Sequence, residues 1–166
     1  MSYRNKVYVS MDADNDLHYY NLMKAWKQSD YCAFDFYDAH DINTILDKSE
    51  ESIKKGLEER FRNTKVFVLL AGEHTKYLYK FVRWEIEQAI KRSIPCIVVN
   101  INGKRSLDSE RCPALMRDNL AIHISFNAKI LQYALEEWPK VFENKLRQGD
   151  SQAYYYKDNI YEKLGL

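Results

Sequence analysis

The sequence predicts an α/β sandwich, in which a parallel β-sheet carries helices on both of its faces. Apolar segments of strand length alternate with segments whose apolar residues recur every three or four positions, and this pattern is typical of strands that alternate with helices. The run from Val66 to Ala71 is continuously apolar, as expected for a strand that is covered on both faces. A chain of 166 residues with 46% hydrophobic residues can bury one substantial core.

The first half of the chain predicts strand, helix, strand, loop and helix. Residues 6–10 are β-rich and run into a polar stretch, after which residues 19–26 carry apolar side chains at helical spacing. Residues 32–37 predict a second strand, and residues 38–46 have no period and predict a long surface loop. In residues 53–61 an apolar side chain recurs every four positions, which predicts the next helix.

The second half continues the alternation. Residues 64–71 predict the central strand. The later elements are a helix over residues 81–92, strands over residues 95–101 and 120–124, and a long helix over residues 128–147.

Five strands in this alternation predict a three-layer sandwich with the flavodoxin-like strand order 2-1-3-4-5 and a C-terminal helical extension. We expect the main domain to span residues 5–147. Residues 148–166 are rich in tyrosine and predict an extension that is either packed on the domain or free as an interaction tail. Ligands of such sheets bind where the strand order reverses, between the first and third strands. This rule singles out residues 10–16 and 72–75.

Charge and composition exclude several functional classes. The chain has 25 Lys and Arg against 24 Asp and Glu, a formal net charge of +1, so no global field attracts nucleic acid or an anionic membrane. The N-terminus lacks the apolar core of a signal peptide, and no apolar run is long enough to span a bilayer. The sequence therefore predicts a cytoplasmic protein without nucleic-acid or membrane partners.

The cysteines and histidines predict neither a disulfide framework nor a metal site. Cys32, Cys96 and Cys112 are widely spaced, without a CxxC pair or a histidine at a zinc-ligand interval. The phosphate-binding, hydrolase and metalloprotease motifs GxGxxG, GxxxxGK[ST], GxSxG and HExxH are also absent from the sequence.

Glu85 is the best candidate for chemistry. On a helical wheel it lies at the margin of the apolar stripe that includes Val82 and Ile86, whereas Glu87 faces solvent. Partial burial raises the pKa of a carboxyl group and strengthens its hydrogen bonds, which suits a group that binds a sugar hydroxyl or stabilises a developing positive charge. The structural alternative is a marginal glutamate paired with a nearby Lys or Arg.

Four stretches, residues 7–10, 66–72, 81–90 and 94–101, together with Thr75, resemble a known family. Their order and spacing are similar to those of the bacterial and archaeal TIR-like domains typified by the TIR subunit of the Thoeris antiphage system, over roughly residues 5–125. The most specific element is aromatic-Val-x-x-Glu-Ile after a strand that ends in glycine. The chain departs from the pattern in two places: Phe81 stands where many relatives have Trp, and the loop after the second strand lacks a proline.

The resemblance implies an enzyme that consumes NAD+ as its substrate and needs no cofactor. Glu85 corresponds by position to the catalytic glutamate of the family. Cleavage of the bond between nicotinamide and ribose would give ADP-ribose or a cyclic ADP-ribose isomer, the latter a signal to an effector protein in antiphage defence. The family pattern also implies assembly into a homo-oligomer on activation.

The resemblance also implies further site residues. Residues that would line the nucleotide pocket are Ser10, Met11, Asp12, Gly72, Thr75 and Phe81. Asp38, His40 and Asp41 lie in the loop where TIR domains meet a neighbouring protomer, or they belong to a solvated connection. Because Asp12, Asp14 and Asp16 would repel phosphates, we expect the pyrophosphate of NAD+ either to lie away from them or to be met by a base such as Lys80 or Arg83.

Two other functional classes stay open at the level of sequence. A non-catalytic TIR-like module would act by self-association, and it predicts Glu85 buried in a salt bridge. An enzyme similar to the nucleoside deoxyribosyltransferases would use the glutamate against a ribose, and it predicts base exchange on a nucleoside.

Overall fold

Five parallel strands form the central sheet of the computed structural model, which describes residues 6–27, 49–78 and 81–166. The strands pair in the order β1-β2-β3-β4-β5, with Ser10 of the first opposite Leu69 of the second and Ala71 of the second opposite Asn100 of the third. In chain order they are β1 (Val7–Ser10), β2 (Val66–Ala71), β3 (Cys96–Asn100), β4 (Ala121–Ser125) and β5 (Ala153–Tyr155).

Helices connect the strands, and two of them begin at side-chain caps. The Ser49 hydroxyl accepts a hydrogen bond from the Ser52 backbone N–H at 3.3 Å, and the Asn127 side chain accepts one from the Lys129 N–H at 2.8 Å. The helices are α1 (Leu17–Lys27), α2 (Glu50–Arg62), α3 (Phe81–Lys91), α4 (Ala114–Arg117), α5 (Ala128–Arg147) and α6 (Asp158–Lys163), with a 3₁₀ turn over Thr75–Tyr77.

The sheet separates two hydrophobic cores, because successive side chains of a strand point to opposite faces. On β1, Val7 and Val9 pack into the core shared with α1, α5 and α6, whereas Tyr8 packs into the core shared with α2, α3 and α4. All residues of the first four strands are buried. The continuous apolar runs of the sequence thus correspond to strands covered on both faces, and the predicted three-layer α/β class is confirmed.

The strand order differs in detail from the predicted 2-1-3-4-5. The predicted second strand, residues 32–37, lies outside the described residues, so its place in the sheet stays a prediction. The other four predicted strands follow one another as expected, and β5 is an addition. It lies in the segment for which the sequence predicted only a helical extension, and the short helix α6 follows it.

The C-terminal strand β5 was missed because its stabilisation comes from tertiary contacts. Three residues without an apolar alternation carry no strand pattern of their own, yet they pair with residues 121–123 of β4. The Tyr154 ring lies 6.0 Å from that of Trp138, and Tyr161 is fully buried, with its hydroxyl accepting a hydrogen bond from the Ser125 N–H at 3.2 Å.

The predicted boundary at residue 147, between the main domain and the C-terminal extension, stays a prediction. None of the described helices has the length and apolar character needed to cross a bilayer.

Candidate functional site

The site is built where β1 ends beside β2 and where α3 crosses the same face of the sheet. Strand periodicity of two places Tyr8 and Ser10 on the face covered by α3. On α3, the buried residues Val82, Glu85, Ile86 and Ala89 form a single inward stripe. Glu85 therefore enters the core with its apolar neighbours instead of remaining at the margin of the stripe.

The Glu85 carboxyl group is held by Ser10. Its Oε1 atom accepts a hydrogen bond from the Ser10 hydroxyl at 3.2 Å, and the side chain is only 1% exposed. Burial raises the pKa of Glu85 to about 7, and hydroxyl groups from Ser10 and Tyr8 act in the opposite direction. A carboxyl group in this state exchanges its proton near neutral pH.

Tyr8 is the second neighbour of this carboxyl group. Burial raises the pKa of the Tyr8 phenol well above its ordinary value, and the adjacent Glu85 raises it further. The two groups are close enough to influence each other, yet neither the Tyr8 hydroxyl nor Glu85 Oε2 makes a hydrogen bond of ordinary length and angle within the described residues. A buried donor and a buried acceptor thus lie unsatisfied on two residues that influence each other electrostatically.

The described ion pairs do not include Glu85. On the solvent side of the same helix, Arg83 Nε lies 3.2 Å from Glu87 Oε1, and both side chains are exposed. Within the described part of the chain, the salt bridge predicted for a merely structural Glu85 is therefore not observed, and hydroxyl groups occupy its surroundings.

The Asp12 side chain stabilises the turn after β1. Its carboxylate accepts hydrogen bonds from the backbone N–H groups of Asp14 at 3.1 Å and Asn15 at 3.3 Å, and from Asn15 Nδ2 at 2.6 Å. These bonds are typical of an Asx turn. Asp12 is 1% exposed, so its carboxylate organises the loop from within.

The Thr75 side chain likewise stabilises the backbone at the end of β2 by hydrogen bonds. Its hydroxyl accepts a hydrogen bond from the Gly72 N–H at 2.9 Å and donates one to the Leu70 carbonyl at 3.3 Å. Steric crowding explains the glycine at position 72, because a Cβ atom there would lie 2.1 Å from Asp16 Oδ2. Asp16 is 7% exposed, and burial raises its pKa.

The structure brings some of the predicted site residues together and separates others. Ser10 contacts Glu85, whereas Met11 is buried in the opposite core beside Tyr20 and Met23. Phe81 is partly buried at the start of α3, against the core that contains Glu85. Asp38, His40, Asp41 and Lys80 lie outside the described residues.

A cleft of about 510 Å³ opens on the other flank of α3, between this helix and α4. Arg83 and Thr75 line it, but Glu85 and Ser10 do not. Its rim is mixed in charge, with the bases Lys76, Arg83 and Arg117 and the acids Glu110 and Asp118, over an apolar floor that includes Val82, Ile86 and Leu115. In the described ranges, no group of three or more His, Cys, Asp or Glu side chains is arranged to hold a metal ion.

The sequence analysis gave Tyr8 no role in the site, and it named Asp16 only as an acid that would repel phosphates, without its contact to position 72. Tyr8 lies two positions before Ser10 on the same strand, so strand periodicity could have placed both hydroxyl groups on one face. Asp16 carried no such signal, because its proximity to Gly72 depends on how α1 returns across the sheet.

A family model described as Thoeris protein ThsB, TIR-like domain, matches residues 8–106. The chain belongs to this family. The match covers more than half of the chain and includes Tyr8, Ser10, Gly72, Thr75 and Glu85. It gives this TIR-like chain a Thoeris-related role and bears out the resemblance seen in the sequence.

Replacement of Gly72 by alanine in this TIR-like chain should be destabilising. The new Cβ atom would displace the buried Asp16 carboxylate, and we expect a loss of about 1–3 kcal/mol in the free energy of unfolding, measured by urea denaturation. Gly56→Ala is the matched control: that position is exposed within α2 with open space around it, so the change should stabilise the fold by about 0.5–1 kcal/mol. A double variant with Asp16→Ala should recover part of the loss, and equal losses in both backgrounds would disprove this steric explanation.

The stability of the Glu85→Gln variant relative to the wild type should increase with pH. The pKa of Glu85 is about 7 in the fold against 4.5 for the free group, so the folded state binds the proton more tightly and loses stability as pH rises from about 4.5 to 7. The loss amounts to at most about 3 kcal/mol, and glutamine does not incur it. Chemical denaturation at pH 5 and pH 8 measures the difference. Glu87→Gln, on the exposed face of α3, should show no such trend, and a pH-independent difference for Glu85→Gln would contradict the raised pKa.

Proposed function

We propose that this Thoeris-family TIR-like chain cleaves the bond between nicotinamide and ribose in NAD+, with Glu85 as the catalytic residue. The observation that carries the proposal is the buried Glu85 carboxyl group, hydrogen bonded to Ser10 at the end of β1, in a chain whose family match spans that residue. Such a carboxylate, surrounded by hydroxyl groups and apolar side chains, is suited to stabilise positive charge in a site of low dielectric constant.

The reaction breaks the glycosidic C–N bond, and the bonding electrons leave with nicotinamide, which becomes neutral. The ribose acquires oxocarbenium character, which an ionised Glu85 would stabilise or trap. Attack by water and loss of a proton give ADP-ribose. Attack by a nucleophile of the same molecule, also with loss of a proton, gives a cyclic ADP-ribose isomer, so the exclusion of water decides the product.

The protonation state of Glu85 sets the pH dependence of this step. Only the anion stabilises an oxocarbenium ion, and a pKa of about 7 leaves roughly half of the Glu85 carboxyl groups ionised at neutral pH. The proposal therefore requires the rate to rise through neutral pH. Protonated Glu85 would be the resting form at lower pH.

Access to Glu85 requires a local opening. Its side chain is 1% exposed, so a ribose can reach it only after neighbouring groups move. We propose that assembly into a homo-oligomer promotes this opening, and that a cyclic product would act on a separate effector protein.

The same burial of Glu85 supports a second candidate function, a non-catalytic module that works by self-association.

The pyrophosphate of NAD+ fits poorly beside the buried acids Asp12 and Asp16, because like charges repel. The cleft along α3 offers Arg83, Lys76 and Arg117 instead. We therefore propose that the phosphates lie on this flank, within reach of Arg83.

Nicotinamide release from NAD+ tests the catalytic proposal. Concentrated purified protein and lysates of phage-infected cells are compared for the wild type, Glu85→Gln and the exposed control Glu87→Gln. We expect turnover in the wild type and the control, and a loss of about a hundredfold or more in Glu85→Gln. The product mass separates hydrolysis from cyclisation, since the cyclic isomer lacks one water.

Three results would redirect the assignment. Absence of NAD+ consumption in both purified protein and infected lysate would leave the self-association module as the better account. Base exchange on a nucleoside, with indifference to NAD+, would indicate an enzyme similar to the nucleoside deoxyribosyltransferases. Equal rates for the wild type and Glu85→Gln would exclude Glu85 as the catalytic residue.

Arg83→Ala should weaken substrate binding more than it slows chemistry. Loss of a positive charge beside the pyrophosphate is expected to raise KM about five- to tenfold with little change in kcat. Arg92→Ala is the matched control, because Arg92 lies just beyond α3 with its Nε donating to Gln88 at 3.4 Å and does not line the cleft. An equal KM for both variants would contradict the placement of the phosphates.

A further inference from the structure

Tyr8 lies in an aromatic cluster that restricts the movement of its ring. The Tyr8 ring stacks on Phe61 with centroids 4.1 Å apart and an interplanar angle of 18°, and on Phe67 at 5.9 Å and 27°. Phe61 is itself in edge contact with Trp84 at 6.0 Å. Elements α2, β1, β2 and α3 all contribute to this cluster, so the ring has little freedom to turn away.

The hydroxyl at the end of this ring has no hydrogen bond among the described residues, although it is buried, and the same is true of Glu85 Oε2. Buried polar groups in folded proteins are nearly always hydrogen bonded, so each exception calls for an explanation. Here the two exceptions are complementary, since the phenol is a donor and the ionised carboxylate is an acceptor. The Ser10 hydroxyl already donates a hydrogen bond to the other carboxylate oxygen of Glu85, Oε1.

We propose that Tyr8 is a positioning residue for Glu85, and that its stacked ring holds the hydroxyl where it donates a hydrogen bond to Oε2 of the ionised carboxylate. The inference rests on the proposed function for its catalytic consequence. Ser10 and Tyr8 then hold the two oxygens of the anion from a single strand, which fixes the orientation of the carboxylate. Hydrogen bonds to a charged acceptor are stronger than those between neutral groups, so the contact tightens as Glu85 ionises.

The electrostatic surroundings agree with this role. In the parts of the chain that the structure describes, the groups acting on the pair are Ser10 from β1 and Arg60 from α2, the latter lowering the pKa of the Tyr8 phenol. Hydroxyl donors from Tyr8 and Ser10 lower the pKa of Glu85 against the larger effect of burial. Removal of one donor therefore leaves the carboxyl group protonated over a wider pH range.

Tyr8→Phe isolates the hydroxyl, because phenylalanine keeps the stacking on Phe61 and Phe67. Tyr20→Phe makes the same chemical change at a buried tyrosine of the opposite core. The titration of the Glu85 side-chain carboxyl carbon is followed by ¹³C NMR in the full chain, with Glu85→Gln to assign the signal. We expect Tyr8→Phe to raise the midpoint by about one pH unit and Tyr20→Phe to leave it unchanged.

The pH profile of nicotinamide release gives the functional readout. A rise of one unit from a midpoint near 7 should lower the rate of Tyr8→Phe about fivefold at pH 7 and leave it close to the wild-type rate at pH 9. A rate loss of equal size at every pH would indicate a merely structural role and would overturn the proposal. So would an unchanged NMR midpoint in Tyr8→Phe.

The two proposals fail in different ways. If the wild type releases no nicotinamide while the NMR midpoint still moves in Tyr8→Phe, the contact between Tyr8 and Glu85 stands and the proposed reaction fails. If the wild type is active and the midpoint does not move, the proposed reaction stands and the role of Tyr8 is refuted.

Discussion

The burial of the sheet on both faces is the constraint on which the rest of the structure depends. With helices above and below, a polar side chain within a strand has no access to water, and an unpartnered polar group in such a place is costly. The polar residues of the first four strands accordingly lie mostly at carboxyl ends: Ser10 ends β1, Asn100 ends β3 and Ser125 ends β4. Two exceptions are Tyr8 within β1 and His123 within β4. Burial lowers the pKa of His123 to about 4, which keeps its ring neutral.

The same constraint gives Glu85 its character. A glutamate that packs inward between a helix and a doubly covered sheet must either find a cation or hold its proton more tightly. In the described residues it meets two hydroxyl groups instead of a cation, and its pKa of about 7 follows from that balance. Because no charged partner for this carboxyl group lies among the described residues, the core keeps a titratable acid with a pKa near neutral pH.

The fold was largely predictable because it depends on local patterns. Residues 66–71 form a continuously apolar run of strand length and residues 81–91 show a helical period of 3.6, and the alternation of such segments leaves few topologies open. The short strand β5 could not be predicted in this way. Its three residues gain their order from β4 and from the packing of Tyr154 and Tyr161, contacts between segments that are distant in sequence.

In the candidate site, too, some features follow from local sequence patterns and others from contacts between distant segments. The sequence by itself determined that Glu85 lies on an amphipathic helix, at the margin of its apolar stripe, and that Ser10 ends the first strand, since both follow from the pattern of one element. Only the tertiary structure decided that these two side chains meet, that Tyr8 joins them, and that Met11 turns to the opposite core. The reason is physical: a helical or strand period fixes the direction of a side chain relative to its own element, whereas its partners depend on the packing of elements against one another. The protonation state of Glu85 is set by those partners and by burial, so it too belongs to the tertiary structure.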